Sequence, residues 1–341
     1  MSGGVDSSVT AALLLQAGAE VRGVFMRLAQ PAVEHHQARA TAVAAHLGIP
    51  LEVIDLGEPF EREVLAYFRA AYFGGHTPNP CVICNQRIKF GLLLEKALAG
   101  GRGDLLATGH YARISRDSAG LYHLLKGRDP RKDQSYFLCL LAQIQLARML
   151  FPLGEKTKPE VYGLAAELGL AGRHGQESQD VCFLAAQSAG EFLAHSASAQ
   201  EEAGGLIVSR EGLELGRHRG IHHYTIGQRR GLGLPDATPY YVLALDAARQ
   251  LVVVGKEEEL YRREVRLRGI HWLAGTPPPL PLPCLAKIRY RHPGAPALLK
   301  VDQETGGLLL LFNDPQRAAT PGQFAVLYQD DEVLGGGEIA A

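Results

Sequence analysis

A chain of 341 residues with 46% hydrophobic side chains can bury a substantial core, and it exceeds the ~100 to 200 residues of one ordinary domain, so two or three domains are expected. No run of about 18 apolar residues able to span a bilayer occurs, and no basic-then-apolar leader opens the chain, which predicts a cytoplasmic protein without membrane contact. The formal net charge is only -1, but Arg217 to Lys300 carries fourteen Lys/Arg against six Asp/Glu, a local excess of +8 that leaves -9 elsewhere. Phosphates respond to local charge, so the second half can meet a polyanion although the whole chain is near neutral.

In chain order, Val9 to Ala17 reads as a helix stopped at Gly18, and Glu20 to Met26 as a strand. A helix Val33 to Leu47, ended by Gly48 and Pro50, leads to the strand Leu51 to Leu56 and a helix from about Pro59 to Tyr72. The stretch Gly74 to Asn85 reads as a loop and Ile88 to Leu98 as a helix. Leu105 to Thr108 is a short strand that delivers Gly109 and His110 to a loop, and Ser135 to Leu150 and Pro159 to Leu168 are two further helices. This alternation predicts an α/β domain with a doubly wound parallel sheet over residues 1–196. After Ser196 the texture turns to Gly, Pro and β-branched residues. Runs such as Tyr240 to Leu245, Leu251 to Val254, Leu308 to Phe312 and Phe324 to Tyr328 predict two small β-barrel-like domains, 197–262 and 263–341. The Pro-rich stretch Thr276 to Pro283 reads as a stiff connection.

Ser2-Gly3-Gly4-Val5-Asp6-Ser7-Ser8 runs straight into a helix, and its glycines let successive backbone N–H groups curl around an anion. The hydroxyls add donors, while Asp6 is placed to hold Mg2+ or to orient the loop. SGGVDSS resembles the PP-loop of ATP pyrophosphatases and lacks the lysine of a Walker-type loop. A strand should precede such a cradle, yet the sequence opens on the loop itself, so a first strand is apparently missing and Met1 reads as an internal methionine.

The five cysteines are odd in number and sparse, which argues against a secreted disulfide scaffold and for catalytic or metal-binding thiols. Cys81 and Cys84 form a lone C-x-x-C after Thr77-Pro78-Asn79-Pro80, which by itself leaves zinc, redox and core roles open; no second pair completes a four-cysteine zinc site. Cys84 lies near a helix start, where the dipole is expected to lower its pKa. Cys139 and Cys284 read as core or bystander thiols. The pairs His35-His36 and His222-His223 lack metal-ligand spacing.

SGGVDSS, TPNPCVICNQRIKF, ATGHYAR, KDQSYFL, SQDVCFL, TIGQRRGLG and TPGQ occur in this order and together resemble the tRNA-specific 2-thiouridylase family over nearly the whole chain. The resemblance implies an enzyme that adenylates O2 of a tRNA uridine with ATP and replaces that oxygen by sulfur. It implies a persulfide on Cys182 with Cys84 as its partner, and ATP contacts at Met1, Ser2, Gly3, Gly4, Val5, Asp6, Ser7, Met26 and Gly109. Asn79, Pro80 and Cys81 would surround the flipped base, and His110, Lys132, Asp133, Gln134, Arg289, Tyr290 and Gln323 would contact tRNA. The implied target is the wobble uridine, position 34, of tRNAs for Lys, Glu and Gln, with a persulfide or sulfide donor protein as partner.

Cys81 stands where many family members have Asp. That departure opens an alternative in which Cys81, Cys84 and Cys182 hold a [4Fe-4S] cluster with one open iron. Arg173 to Asp180, rich in Gly and polar residues, would let Cys182 move toward Cys84. Arg229 and Arg230 would add phosphate contacts. The rivals are another PP-loop AMP-forming ligase, against which the paired cysteines speak, and an RNA-binding protein with a decayed catalytic domain.

Overall fold

The computed structural model describes residues 1–101, 103–170, 181–184, 187–195 and 204–341. Helix α1 (Val5–Gln16) begins four residues before the apolar period suggests. The cause is local: Ser7 and Ser8 turn their hydroxyls back to the Gly4 carbonyl at 3.0 and 2.8 Å, so polar residues build the first turn. Strand β1 (Gly23–Arg27) pairs in parallel with β2 (Leu51–Asp55), with Gly23 opposite Leu51 and Arg27 opposite Asp55. Between them runs α2 (Val33–Leu47), which ends at a left-handed Gly48.

Two helical stretches, 57–73 and 80–98, follow. The second starts inside the expected loop: Asn79 caps it by accepting the Val82 amide at 3.4 Å, and Pro80 occupies its first position, so Cys81 and Cys84 are helical. A further parallel pair joins β3 (Leu106–Ala107) to β6 (Met149–Leu150). The pairs β1–β2 and β3–β6 are not hydrogen-bonded to each other, and both line one cavity.

The single helix expected over Ser135 to Leu150 is instead a short turn at Ser135–Leu138, a four-residue helix Gln143–Leu146 and strand β6. Tyr136, Leu138, Leu141 and Leu146 are all fully buried. With four of its apolar residues enclosed while Ile144 stands 76% exposed, the segment follows the shape of the surrounding core rather than the stripe of a helical period. The hairpin β4 (Ala112–Arg116) and β5 (Tyr122–Lys126) was not anticipated.

Strands β7 (Gly205–Ser209), β8 (Glu214–His218), β9 (Tyr241–Asp246) and β10 (Leu251–Gly255) form a sheet of order β8-β7-β10-β9 around Ile207, Val242, Val252 and Val254. The last six strands are β11 (Tyr261–Trp272), β12 (Leu282–Lys287), β13 (Ala295–Val301), β14 (Leu308–Arg317), β15 (Phe324–Gln329) and β16 (Glu332–Ile339). They close as β11-β14-β13-β12-β15-β16 and back to β11, a six-stranded barrel. Of the Pro-rich stretch only the end, from Leu282, is strand.

The barrel does not stand apart. Glu332 of β16 pairs with Leu125 of β5, so the β4–β5 hairpin prolongs the barrel sheet into the first domain. Phe324, Val326, Tyr328 and Val333 share one core with Leu56, Phe68, Ile88 and Tyr136.

Candidate active site

Gly3 takes a left-handed backbone (φ 72°), and a Cβ there would sit 2.8 Å from the Arg39 Cβ. Only glycine fits that turn. Ser2 faces Ser7 across the loop, hydroxyl to hydroxyl at 3.1 Å, and the Ser2 amide donates to the Ser7 hydroxyl at 3.2 Å. Val5 points into the core behind the loop.

Asp6 is held on two sides. The Lys158 ammonium donates to both its carboxylate oxygens at 2.8 and 2.9 Å, and the Tyr111 hydroxyl donates to one of them at 2.8 Å. Both carboxylate oxygens are thus engaged, which fits the loop-orienting one of the two roles expected for Asp6. Gly109 lets the next loop approach: a Cβ there would meet the Asp6 backbone at 2.8 Å. Lys158, at 6% exposure, and Tyr111 were missed by sequence reasoning, because a lysine at the start of a helix that also carries Glu160 and Glu167 reads as an ordinary surface charge.

Met1, Ser2, Asp6, Ser7, Met26 and Gly109 line a cavity of about 2440 Å³, together with Asn79, Pro80, Cys81, Cys84 and Cys182. The cavity also runs between β1 and β3, past Val24, Phe25, Leu105 and Leu106, so its volume includes the gap between the two strand pairs. Cys182 reaches it because its neighbour Phe183 is anchored, 5.1 Å from the Phe68 ring and 5.9 Å from Phe60. Phe68 and Phe60 belong to helix 57–73, which packs against helix 80–98 that carries Cys81 and Cys84.

Burial overrides the helix dipole at these thiols. It pushes Cys84 up to about 12 and Cys81 to about 11 and raises Cys182 less clearly, since that side chain is solvent-exposed, with the Lys89 ammonium opposing the rise at all three. Cys84 is the fifth residue of its helix, beyond the first turn where the dipole acts. The lowered Cys84 pKa expected from the sequence is thus corrected. Among the described residues no group of three or more His, Cys, Asp or Glu side chains is arranged to hold a metal ion, so Cys81, Cys84 and Cys182 do not fit the [4Fe-4S] expectation. Cys139 and Cys284 are buried in cores, as expected. Arg173 to Asp180 lies outside the described residues.

The residues expected at tRNA fall into two groups. His110, Lys132, Asp133, Gln134, Tyr290 and Gln323 line the same cavity; Arg289 does not, and donates to the Arg317 carbonyl at 3.0 Å. Several also hold the frame. Asp133, 6% exposed, accepts the Gly127 and Ser135 amides at 3.1 Å each. The Gln134 amide oxygen accepts the Tyr111 N–H at 3.0 Å. Gln323 donates to the Thr77 and Pro78 carbonyls at 2.8 and 3.3 Å, tying the barrel to the cysteine segment. Tyr290 stacks on Phe137 with ring centroids 4.3 Å apart.

His110 is enclosed between Phe90 and Phe151, at 5.4 and 5.7 Å between rings. Burial, and then Lys89, hold its pKa well below the usual imidazole value. Its Nδ1 lies 2.8 Å from the Thr108 hydroxyl and its Nε2 3.5 Å from the Lys89 ammonium. An ammonium only donates, so Nε2 is the acceptor and Nδ1 carries the proton.

A glycine-rich loop on a parallel α/β domain, followed by two β modules, defines a nucleotide-binding class of protein. The family model described as tRNA methyl transferase HUP domain matches residues 1–186, its PRC-barrel domain residues 190–256, and the aminomethyltransferase beta-barrel domain residues 262–339. Proteins called tRNA-specific 2-thiouridylase MnmA are similar over full length. That of Desulfotalea psychrophila is 46% identical over 339 residues, 99% of this chain and 97% of its own. That of Geobacter metallireducens is 47% identical over 357 residues, covering 100% and 95%, and that of Roseiflexus sp. 44% over 369, covering 100% and 98%. The chain belongs to the tRNA-specific 2-thiouridylase family. No helix among the described residues is long and apolar enough to cross a membrane.

Proposed function

We propose that this protein catalyses the ATP-dependent replacement of O2 of a tRNA uridine by sulfur, with release of AMP and pyrophosphate. The observation that carries the reading is that the glycine-rich loop, Cys84 and Cys182 open onto one cavity. A carbonyl oxygen is a poor leaving group, and adenylation converts it into AMP. The loop Met1 to Ser7, with Met26 and Gly109, binds ATP, which brings its own Mg2+; Lys158 and Tyr111 fix Asp6 so that the loop keeps its shape when the nucleotide enters.

The terminal sulfur of a Cys182 persulfide attacks C2. The Cys84 thiolate then attacks Cys182 Sγ, the bond between that atom and the transferred sulfur breaks, and the electron pair of the broken bond stays with the sulfur now on C2 as AMP leaves. A Cys84–Cys182 disulfide remains, which a dithiol reduces. A donor protein reloads the persulfide. Asn79, Pro80 and Cys81 surround the flipped uridine. His110, Lys132, Asp133, Gln134, Arg289, Tyr290 and Gln323 grip the tRNA, the last three from the C-terminal barrel. Three domains, 1–196, 197–262 and 263–341, divide this work, in the cytoplasm, on the wobble uridine of tRNAs for Lys, Glu and Gln.

The test is thiolation of a tRNA transcript by iron-free protein with ATP and a persulfide donor. Cys182→Ser and Cys84→Ser should each abolish product while nucleotide binding persists. Undiminished turnover by Cys182→Ser would reject the relay in favour of an AMP-forming ligase, and a strict iron requirement would reject it in favour of the cluster.

A further inference from the structure

The helix 80–98 changes gauge where the cysteines sit. From Cys84 to Leu92 it winds wider than an α-helix, with five-residue bonding such as that of the Leu93 N–H to the Ile88 carbonyl, while the Cys84 N–H still reaches Pro80 four residues back. Such wide turns are rare and concentrate at functional sites. Their effect here is geometric. In an α-helix of 3.6 residues per turn, a residue five positions on points about 140° away from the first. With five-residue bonding, at about 4.4 residues per turn, the offset falls to roughly 50°, so Lys89 lies about one turn from Cys84 and toward the same face.

The wide turn is held by a neighbour. Gln145 donates its amide to the Gln86 carbonyl at 3.0 Å and to the Phe90 carbonyl at 2.7 Å, while its oxygen accepts the Ala142 amide at 2.8 Å. Lys89 lines the cavity with Cys81, Cys84 and Cys182, and its hydrogen-bond neighbour among the described residues, His110 Nε2, is neutral. Among the described residues no carboxylate comes within 4.0 Å of its ammonium to cancel the charge.

We propose that Lys89 is a positioning residue of the sulfur relay: set beside Cys84 by the wide turn, its ammonium holds the Cys84 sulfur as the attacking thiolate, the proton going to solvent. This deepens the proposed function and rests on it for the relay, though not for the electrostatics. Burial alone works against every thiol in the cavity, and Lys89 is the cation that opposes it at all three. His110, kept neutral between two aromatic rings, leaves that charge uncompensated and its direction set.

The test reads the sulfur itself. Alkylation of Cys84 by iodoacetamide, resolved from the other cysteines by peptide mass spectrometry, is followed against pH in the full-length protein. Lys89→Met should slow it about tenfold at any given pH, a displacement of the rate–pH line by about one unit. Lys89→Arg should restore the wild-type line. An undisplaced line in Lys89→Met overturns the proposal. Equal slowing in both variants also overturns it, because shape rather than charge was then lost. Wild-type thiolation of tRNA is assayed on the same preparation. A displaced line with no wild-type thiolation refutes the proposed function and leaves Lys89 standing, whereas an undisplaced line with intact thiolation refutes Lys89 alone.

Discussion

Removing the Lys158 ammonium, as in Lys158→Met, strands the Asp6 carboxylate at the mouth of the loop. The methionine keeps most of the apolar stem but loses the ammonium's contacts with the Tyr111 and Tyr162 rings along with its pairing to Asp6, so the change removes the charge with little loss of volume. Breaking a fully buried pair from one side costs about 3 to 5 kcal/mol. Here the Asp6 side chain is 26% exposed and keeps its hydrogen bond from Tyr111, so water and the phenol recover part of the loss. A destabilisation of roughly 2 to 3 kcal/mol follows, a shift of about 1 M in the urea midpoint of the first domain at a slope of about 2 to 3 kcal/mol per M. Asp6→Asn should cost less, and the double variant about as much as Lys158→Met alone, giving a coupling above about 1 kcal/mol. Additive losses, or a midpoint that does not move, would show that the pair does not hold the loop.

Further outcomes follow from single contacts. Gly109→Ala drives a methyl group into the Asp6 backbone at 2.8 Å, and nucleotide affinity, measured by equilibrium binding, should fall at least about tenfold. Gln145→Leu leaves the Gln86 and Phe90 carbonyls without their donor. It should cost about 1 to 3 kcal/mol in urea unfolding and displace the Cys84 alkylation line in the same direction as Lys89→Met. His123 bridges the hairpin to the barrel, with Nδ1 2.6 Å from Glu332 and Nε2 3.3 Å from Asp117. The hydrogen bond to Glu332, and then that to Asp117, raise its pKa above 6.5. The stabilisation is therefore complete below 6.5 and lost as pH rises through the raised value. His123→Gln should lower the melting temperature in acid and leave it unchanged in alkali; an equal effect at both would deny the latch its charge.

The motifs were legible because they are local. The glycine turn Ser2 to Ser8 announces an anion cradle within a few residues, whereas the roles expected of Cys84 and Gly109 came from the resemblance of ordered motifs, since the lone C-x-x-C by itself left zinc, redox and core roles open. What the sequence hid was set by distance and burial. The depth of the cavity, and not the helix dipole, governs the Cys84 thiol. Lys158 acts from 152 positions away on Asp6, which no spacing rule reaches. The stretch Ser135 to Leu150 has the composition of a helix, but Tyr136, Leu138 and Leu141 are enclosed in a shared core, so tertiary packing overrode local propensity. The hairpin β4–β5 escaped notice because its partner strand, β16, lies some two hundred residues further on; Glu332 pairs with Leu125.

That pairing has a mechanical meaning. A sheet that runs from the barrel into the first domain transmits displacement, and Arg113 and Asp331 brace the joint at 2.7 Å. The segment Gly127 to Gln134 leaves β5 directly from this joint, while Gln323 ties the opposite side of the barrel to Pro78, three residues before Cys81. The barrel and the walls of the cavity are thus braced against each other at two points. If the proposed function holds, that bracing sets one fixed distance between a nucleic acid held on the barrel and the cysteines.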